Sequence, residues 1–189
     1  MITNKLNIMR YLSVMSVLLL LVMSVTGCND EAAPTENSST ATLFKVIHHV
    51  SLGGADACEA FGLPPGCDGN FSLVANMKAN GNITGQWQDT FAGGGEGIHV
   101  AIDCMKIIGN GAIVGGVITH GTAGGVDVSG QYAITAVVDN GTSSNDPPDQ
   151  ISFSFIDPAN SILGTDDCNE LTLDAFPLLD LTTGQVKVR

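Results

Sequence analysis

Positive charge is scarce in this chain. Its 189 residues include 7 Lys+Arg against 19 Asp+Glu, a formal net charge of −12 at pH 7. Phosphate recognition needs clustered Lys and Arg, so nucleic acid is not an expected partner. Adsorption to anionic lipid through a basic patch is disfavoured for the same reason. Catalytic signatures are missing as well. Gly-x-Ser-x-Gly, His-Glu-x-x-His and Ser-x-x-Lys do not occur, which removes the short motifs that mark nucleophilic or zinc-dependent hydrolysis. The glycine clusters at 93–97, 109–111 and 121–125 lack the Lys and following helix of a phosphate-binding loop. Aromatics make up 5% of the chain, with Trp87 the single tryptophan. No uninterrupted apolar run reaches the roughly 20 residues of a membrane-spanning helix.

What is present is organised from the N-terminus. Lys5 and Arg10 precede an apolar stretch from Tyr11 to Val25, which ends at small residues before Cys28. A basic start, a short apolar core and a small-residue exit form an export signal over 1–27. Beyond it, five basic residues face all nineteen acids, a formal net charge of −14. Residues 28–42 begin with Cys28 and are polar, with Pro34 and no apolar periodicity, so they read as a flexible tether. About 13 such residues span on the order of 20 Å.

Val25-Thr26-Gly27-Cys28 resembles the lipobox of bacterial lipoproteins. The resemblance implies cleavage after Gly27, a diacylglycerol thioether on the Cys28 thiol and acylation of the new amino group. Two or three acyl chains hold a protein stably where one holds it marginally. The implied partner is the lipid bilayer, with the chain facing the periplasm or the cell exterior. Asn29, where an Asp would imply inner-membrane retention, points toward the outer membrane.

From residue 43 to 189 the pattern has period two. Phe71, Leu73, Ala75 and Met77 form one row, and Ile98, Val100, Ile102 and Cys104 a second. Tyr132, Ile134, Ala136 and Val138 form a third. Ile151, Phe153 and Phe155 stand opposite Ser152 and Ser154, and Val186 and Val188 close the chain. Such alternation predicts half-buried strands. Asn80-Gly81, Asn110-Gly111 and Asn140-Gly141 are hairpin signals spaced 30 residues apart. Only Thr165 to Leu173 offers a short helix. The expected fold is all-β, a single antiparallel sandwich domain, with a barrel as the second choice. Residues 70–189 also resemble a small secreted bacterial all-β domain to which no activity is attached. The resemblance rests on the order of Gly81-Asn82-Ile83-Thr84-Gly85-Gln86-Trp87, Ile98 to Cys104, Gly109-Asn110-Gly111-Ala112, Asp149 to Phe153 and Thr183 to Val188. It implies an exported all-β fold and supplies no site residue.

Four cysteines follow Cys28: Cys58, Cys67, Cys104 and Cys168. An even number in an exported chain implies disulfides. Of the three connectivities, Cys58–Cys67 suits a local staple around Pro64-Pro65-Gly66, leaving Cys104–Cys168 as a long tie. The rival is a metal site, which the lack of a Cys-x-x-Cys disfavours.

Asp139, Asn145, Asp146 and Asp149, with Asn140, place five side-chain oxygen groups in one loop. They are candidate ligands for Ca²⁺, which takes six to eight oxygens. Turn chemistry alone also favours such residues. His99 and His120, on separate strands, can meet as a two-His site that lacks a third ligand. His48 and His49 point to opposite faces of one strand. Trp87 is expected in the core, with a sugar-stacking platform as the alternative. The functional expectation is a non-catalytic envelope lipoprotein with a structural or ligand-binding β-domain. The alternatives are a calcium-dependent module for glycan or protein, and an enzyme whose site is assembled from distant residues.

Overall fold

Ten strands, β1 to β10, are joined into one antiparallel sheet in a computed structural model that describes residues 42–56, 70–91, 96–143 and 145–189. They are β1 (Val46–Asp56), β2 (Asn70–Lys78), β3 (Ile83–Thr90), β4 (Gly97–Ile108) and β5 (Gly111–Ala123), then β6 (Val126–Asp127), β7 (Tyr132–Val138), β8 (Gln150–Ser152), β9 (Phe155–Ile156) and β10 (Leu178–Val188). The order across the sheet is β6-β5-β4-β3-β2-β1-β10-β8-β7-β9, and β5 also pairs with β7. That last pairing closes a ring of eight strands. The all-β antiparallel expectation holds. The ring is narrowest at β8, which pairs with β10 over three residues and with β7 over two. Sandwich and barrel are the flattened and round limits of such a ring.

The export signal, Cys28, most of the tether and the Cys58 and Cys67 pair lie outside the described residues. Among the described residues no helix is long and apolar enough to cross a membrane.

The alternating rows explain the interior. Phe71, Leu73, Ala75, Trp87, Ile98, Val100 and Ile102 all point into one buried cluster with Val50, Leu52 and Val186. The row on β4 then changes phase. Opposite β5 the register jumps from Ile102↔Gly116 to Cys104↔Gly115, so Asp103 is an extra residue. Such a bulge moves later side chains to the other face. Met105 therefore enters the ring, 1% exposed, and Cys104 joins a second cluster outside it.

That second cluster corrects the reading of β7 as one-sided. Ala133 and Val137 pack inside, while Ile134 and Ala136 pack outside against Ile113, Leu163, Leu171 and Phe176. The cover is the irregular segment between β9 and β10. It is tied down by the Cys104–Cys168 disulfide, Cα–Cα 6.3 Å, and by Lys106, whose Nζ donates to the carbonyls of Asn169 (2.9 Å) and Leu171 (2.6 Å). The expected helix from Thr165 to Leu173 does not form. Two short 3₁₀ turns, Pro158–Asn160 and Leu173–Ala175, stand in the segment instead. The Asp166 and Asp167 carboxylates accept backbone N–H groups of Ala159 and Asn169, at 2.9 and 2.8 Å.

The Ile151-Phe153-Phe155 row is corrected too. β8 ends at Ser152, so the alternation breaks there. Ser152 is buried at 3% and bonds Thr135 (3.2 Å) and the Ala136 N–H (2.9 Å), whereas Phe153 is 38% exposed. Asn80-Gly81 does turn between β2 and β3. The next turn is centred one residue earlier than expected, at Gly109-Asn110, because Gly109 takes the positive φ of 60°.

Candidate functional site

The outer face of β3, β4 and β5 carries two open depressions, of about 500 and 310 Å³. Gln88, His99 and His120 line both of them. The first continues to Glu96, Thr122, Asp127 and Ser129; the second continues to Gln86, Thr119 and Ser72.

His99 and His120 are direct partners in the β4–β5 register. Their rings stack with centroids 3.9 Å apart and 20° between planes. The next register pair is Val100↔Ile118, so Thr119 is an extra residue on β5. Thr119 Oγ1 lies 3.1 Å from the His99 carbonyl oxygen and 3.3 Å from His120 Nδ1. A carbonyl can only accept, so the threonine hydroxyl gives its proton to His99 O. Its oxygen can then only accept from His120, which puts the ring proton on Nδ1 and leaves the Nε2 lone pair free.

The acids around the pair are held by the loops. Both Glu96 carboxylate oxygens accept backbone N–H groups, from Gly124 at 2.9 Å and Gly125 at 2.6 Å. Asp127 accepts the Ser129 hydroxyl at 2.6 Å and its N–H at 2.9 Å, and these bonds hold its carboxyl below the usual value. Asp89 is buried at 8% and accepts the Ser154 hydroxyl.

Trp87 is not a stacking platform. It is 1% exposed and stacks on Phe71 inside the ring, centroids 5.8 Å apart. Its position on β3 alternates with Gln86 and Gln88, and the two glutamines take the outer face. The Trp87 indole N–H is buried without a hydrogen-bond partner.

The candidate calcium loop runs from β7 to β8. Asp139 accepts from Gly141 N and Val188 N, each at 3.1 Å. Asp149, 7% exposed, accepts from Asn140 N and Val186 N, each at 2.7 Å. Asp146 accepts from Ser143 N at 2.8 Å, and the Asn145 backbone N–H donates to Ser143 Oγ. These oxygens point at backbone donors rather than toward one shared centre. Among the described residues, the one group of three His, Cys, Asp or Glu ligand atoms at mutual metal-binding distance is Cys104, Asp167 and Cys168. Its sulfurs are joined as a disulfide.

Sequence reasoning placed His99 and His120 on separate strands that can meet; the β4–β5 pairing makes them neighbours. The same reasoning missed both bulges, at Asp103 and Thr119, because a bulge leaves no mark in an alternating pattern that is interrupted by Gly and Thr anyway. Comparison with known proteins gives no match: no family model, curated protein or solved structure matches this chain.

Proposed function

We propose that this chain is an exported, lipid-anchored protein of the cell envelope whose β-domain binds a ligand or partner and performs no catalysis. The observation that carries the reading is the Cys104–Cys168 disulfide, which fastens the covering segment to β4. Disulfides that hold structure belong to oxidising compartments. The N-terminal basic-apolar-Cys28 pattern supplies the route to such a compartment and the means of staying on a membrane.

Two further features support it. Leu43, Phe44, Val46 and Ile47 are 45–60% exposed where the tether enters the domain. Lys78 stands over the Phe44 ring at 6.0 Å. An apolar and cationic entry suits an end that faces headgroups. On the outer face of β3, β4 and β5, the side chains of Gln86, Gln88, His99 and His120 sit on hydrogen-bonded strands, which hold a recognition surface rigid.

The test is phase partition of the full chain expressed in a bacterial host, beside Cys28→Ser. The expected result is that the wild type enters the detergent phase with the mass of added acyl chains, and that Cys28→Ser is unacylated and keeps its signal. Equal mass and partition of the two would remove the anchor from this reading.

A further inference from the structure

We propose that His99 and His120 form a cross-strand chelating pair for a divalent transition metal, Cu²⁺ foremost, with the remaining coordination positions open. The inference goes beyond the anchored-domain reading and is independent of lipidation.

Four observations converge on it. The two histidines are register partners on adjacent hydrogen-bonded strands, so their Cα positions are fixed relative to each other. The rings already touch, with centroids 3.9 Å apart. Two imidazole nitrogens bound to one ion at about 2.0–2.1 Å stand roughly 3 Å apart with their in-plane lone pairs converging, so binding brings the rings out of parallel by rotation about their side-chain torsions while the register holds the two residues side by side. Second, the pair walls both surface depressions and is reachable from either. Third, Thr119 sets the His120 tautomer from behind: its oxygen holds the Nδ1 proton and leaves Nε2 with its lone pair. This is the arrangement in which an outer hydrogen bond orients a ligating imidazole.

Fourth, the donor set selects the metal. Two neutral imidazoles suit Cu, Ni and Zn rather than Ca or Mg, and Cu²⁺ leads the affinity order. No carboxylate among the described residues completes a three-ligand group with both rings. Glu96 and Asp127 share the larger depression and contribute negative charge rather than bonds. Two protein ligands leave sites for water or for a donor from a bound molecule. The face would then bind its ligand through the metal.

The experiment titrates Cu²⁺, Ni²⁺ and Zn²⁺ into the untagged full chain in detergent, and into the His99→Gln/His120→Gln double variant. The difference between them subtracts binding at the amino terminus and at other cysteines or histidines. Expected are one additional Cu²⁺ equivalent in the wild type, nitrogen hyperfine structure in its paramagnetic resonance spectrum, and affinity that is highest for Cu²⁺. Thr119→Val should weaken binding about tenfold while keeping both ligands. His48→Gln, on β1, should change nothing. Both histidines are on the outer face, and matching thermal unfolding of the variants checks that they fold. Equal Cu²⁺ uptake by the wild type and the double variant, or a spectrum without the nitrogen signature, would overturn the proposal and leave a packed pair of rings.

Discussion

Tyr132 opens β7 with its hydroxyl donating to the Asp103 carboxylate at 2.6 Å. Partial burial, then the adjacent Asp103 charge, push its phenol well above the ordinary value near 10. Linkage fixes the sign. The folded state keeps this proton at pH values where the unfolded chain has lost it, so the contribution is whole below about pH 10 and is lost as pH rises beyond. In a Tyr11→Phe chain Tyr132 is the sole tyrosine. The expected outcome is no phenolate absorbance from the folded protein at pH 11, with denaturant midpoints that hold up to about pH 10 and fall as pH rises beyond it. Tyr132→Phe should flatten that fall. Half-ionisation near pH 10 in the folded state would refute the argument. None of this was legible from residue types. Tyr132 was visible as a member of an alternating row, but its meeting with Asp103 depends on how β4, β5 and β7 are placed side by side, which residue types do not state. Trp87 shows the converse. Its burial follows from alternation with Gln86 and Gln88, and the core expectation was correct there.

At several positions a glycine lets a strand lie close against its neighbour's backbone. Ile102 on β4 is the register partner of Gly85 on one side and of Gly116 on the other. A Cβ on Gly116 would sit 2.0 Å from the Ala101 carbonyl oxygen and 2.8 Å from the Ile102 Cα. One on Gly85 would sit 2.3 Å from the Val74 oxygen. The obstacles are backbone, which yields little. This glycine–isoleucine–glycine row lies beside the Asp103 bulge, and glycines with bulges are how a sheet curls toward closure. Gly116→Ala should therefore destabilise the domain by about 2–3 kcal/mol, as overpacking does. Gly53→Ala, which meets nothing within 4 Å, should stay within about 0.5 kcal/mol. Denaturant unfolding of the two variants beside the wild type decides it, and equal losses would mean that strand glycines matter only through chain entropy. The sequence shows many glycines inside otherwise good strands. It cannot say which of them approach a neighbouring backbone, because that depends on register. Strand existence was legible from period two; the covering layer over β5 and β7 was not, since the segment that provides it has no periodicity.

At the scale of the whole molecule the ring has one weak seam, and the acidic loop closes it. Arg189 exchanges both backbone bonds with His49 at 2.9 Å. In an antiparallel ladder the N–H groups of alternate residues then point to the opposite edge. Val188 and Val186 are therefore turned away from β1, toward the side where β8 has paired only Leu178 to Asp180. The Val186 residue is fully buried, and an orphan N–H there would be unfavourable. Asp149 takes the Val186 N–H and Asp139 takes that of Val188, while the other oxygens of the same carboxylates hold Asn140 and Gly141 beyond the end of β7. Two side chains thus bridge β7 to β10 where a strand is missing. This explains the concentration of Asp and Asn that marks the loop as a calcium candidate in the sequence: the oxygens are needed, but for amide hydrogens. Asp149→Ala should lower stability by about 3 kcal/mol, since charge-assisted bonds are lost and two donors are stranded. It should also speed hydrogen exchange at Val186. Asp146→Ala, which releases only the Ser143 N–H, should lower it by about 1 kcal/mol. Thermal unfolding of the full chain with millimolar calcium and with chelator should coincide. A cation bound to the folded state at a hundredfold excess over Kd would add about 2.7 kcal/mol. A calcium-dependent rise that vanishes in Asp146→Ala would mean that the carboxylates leave the seam for an ion, and the loop would become the binding site.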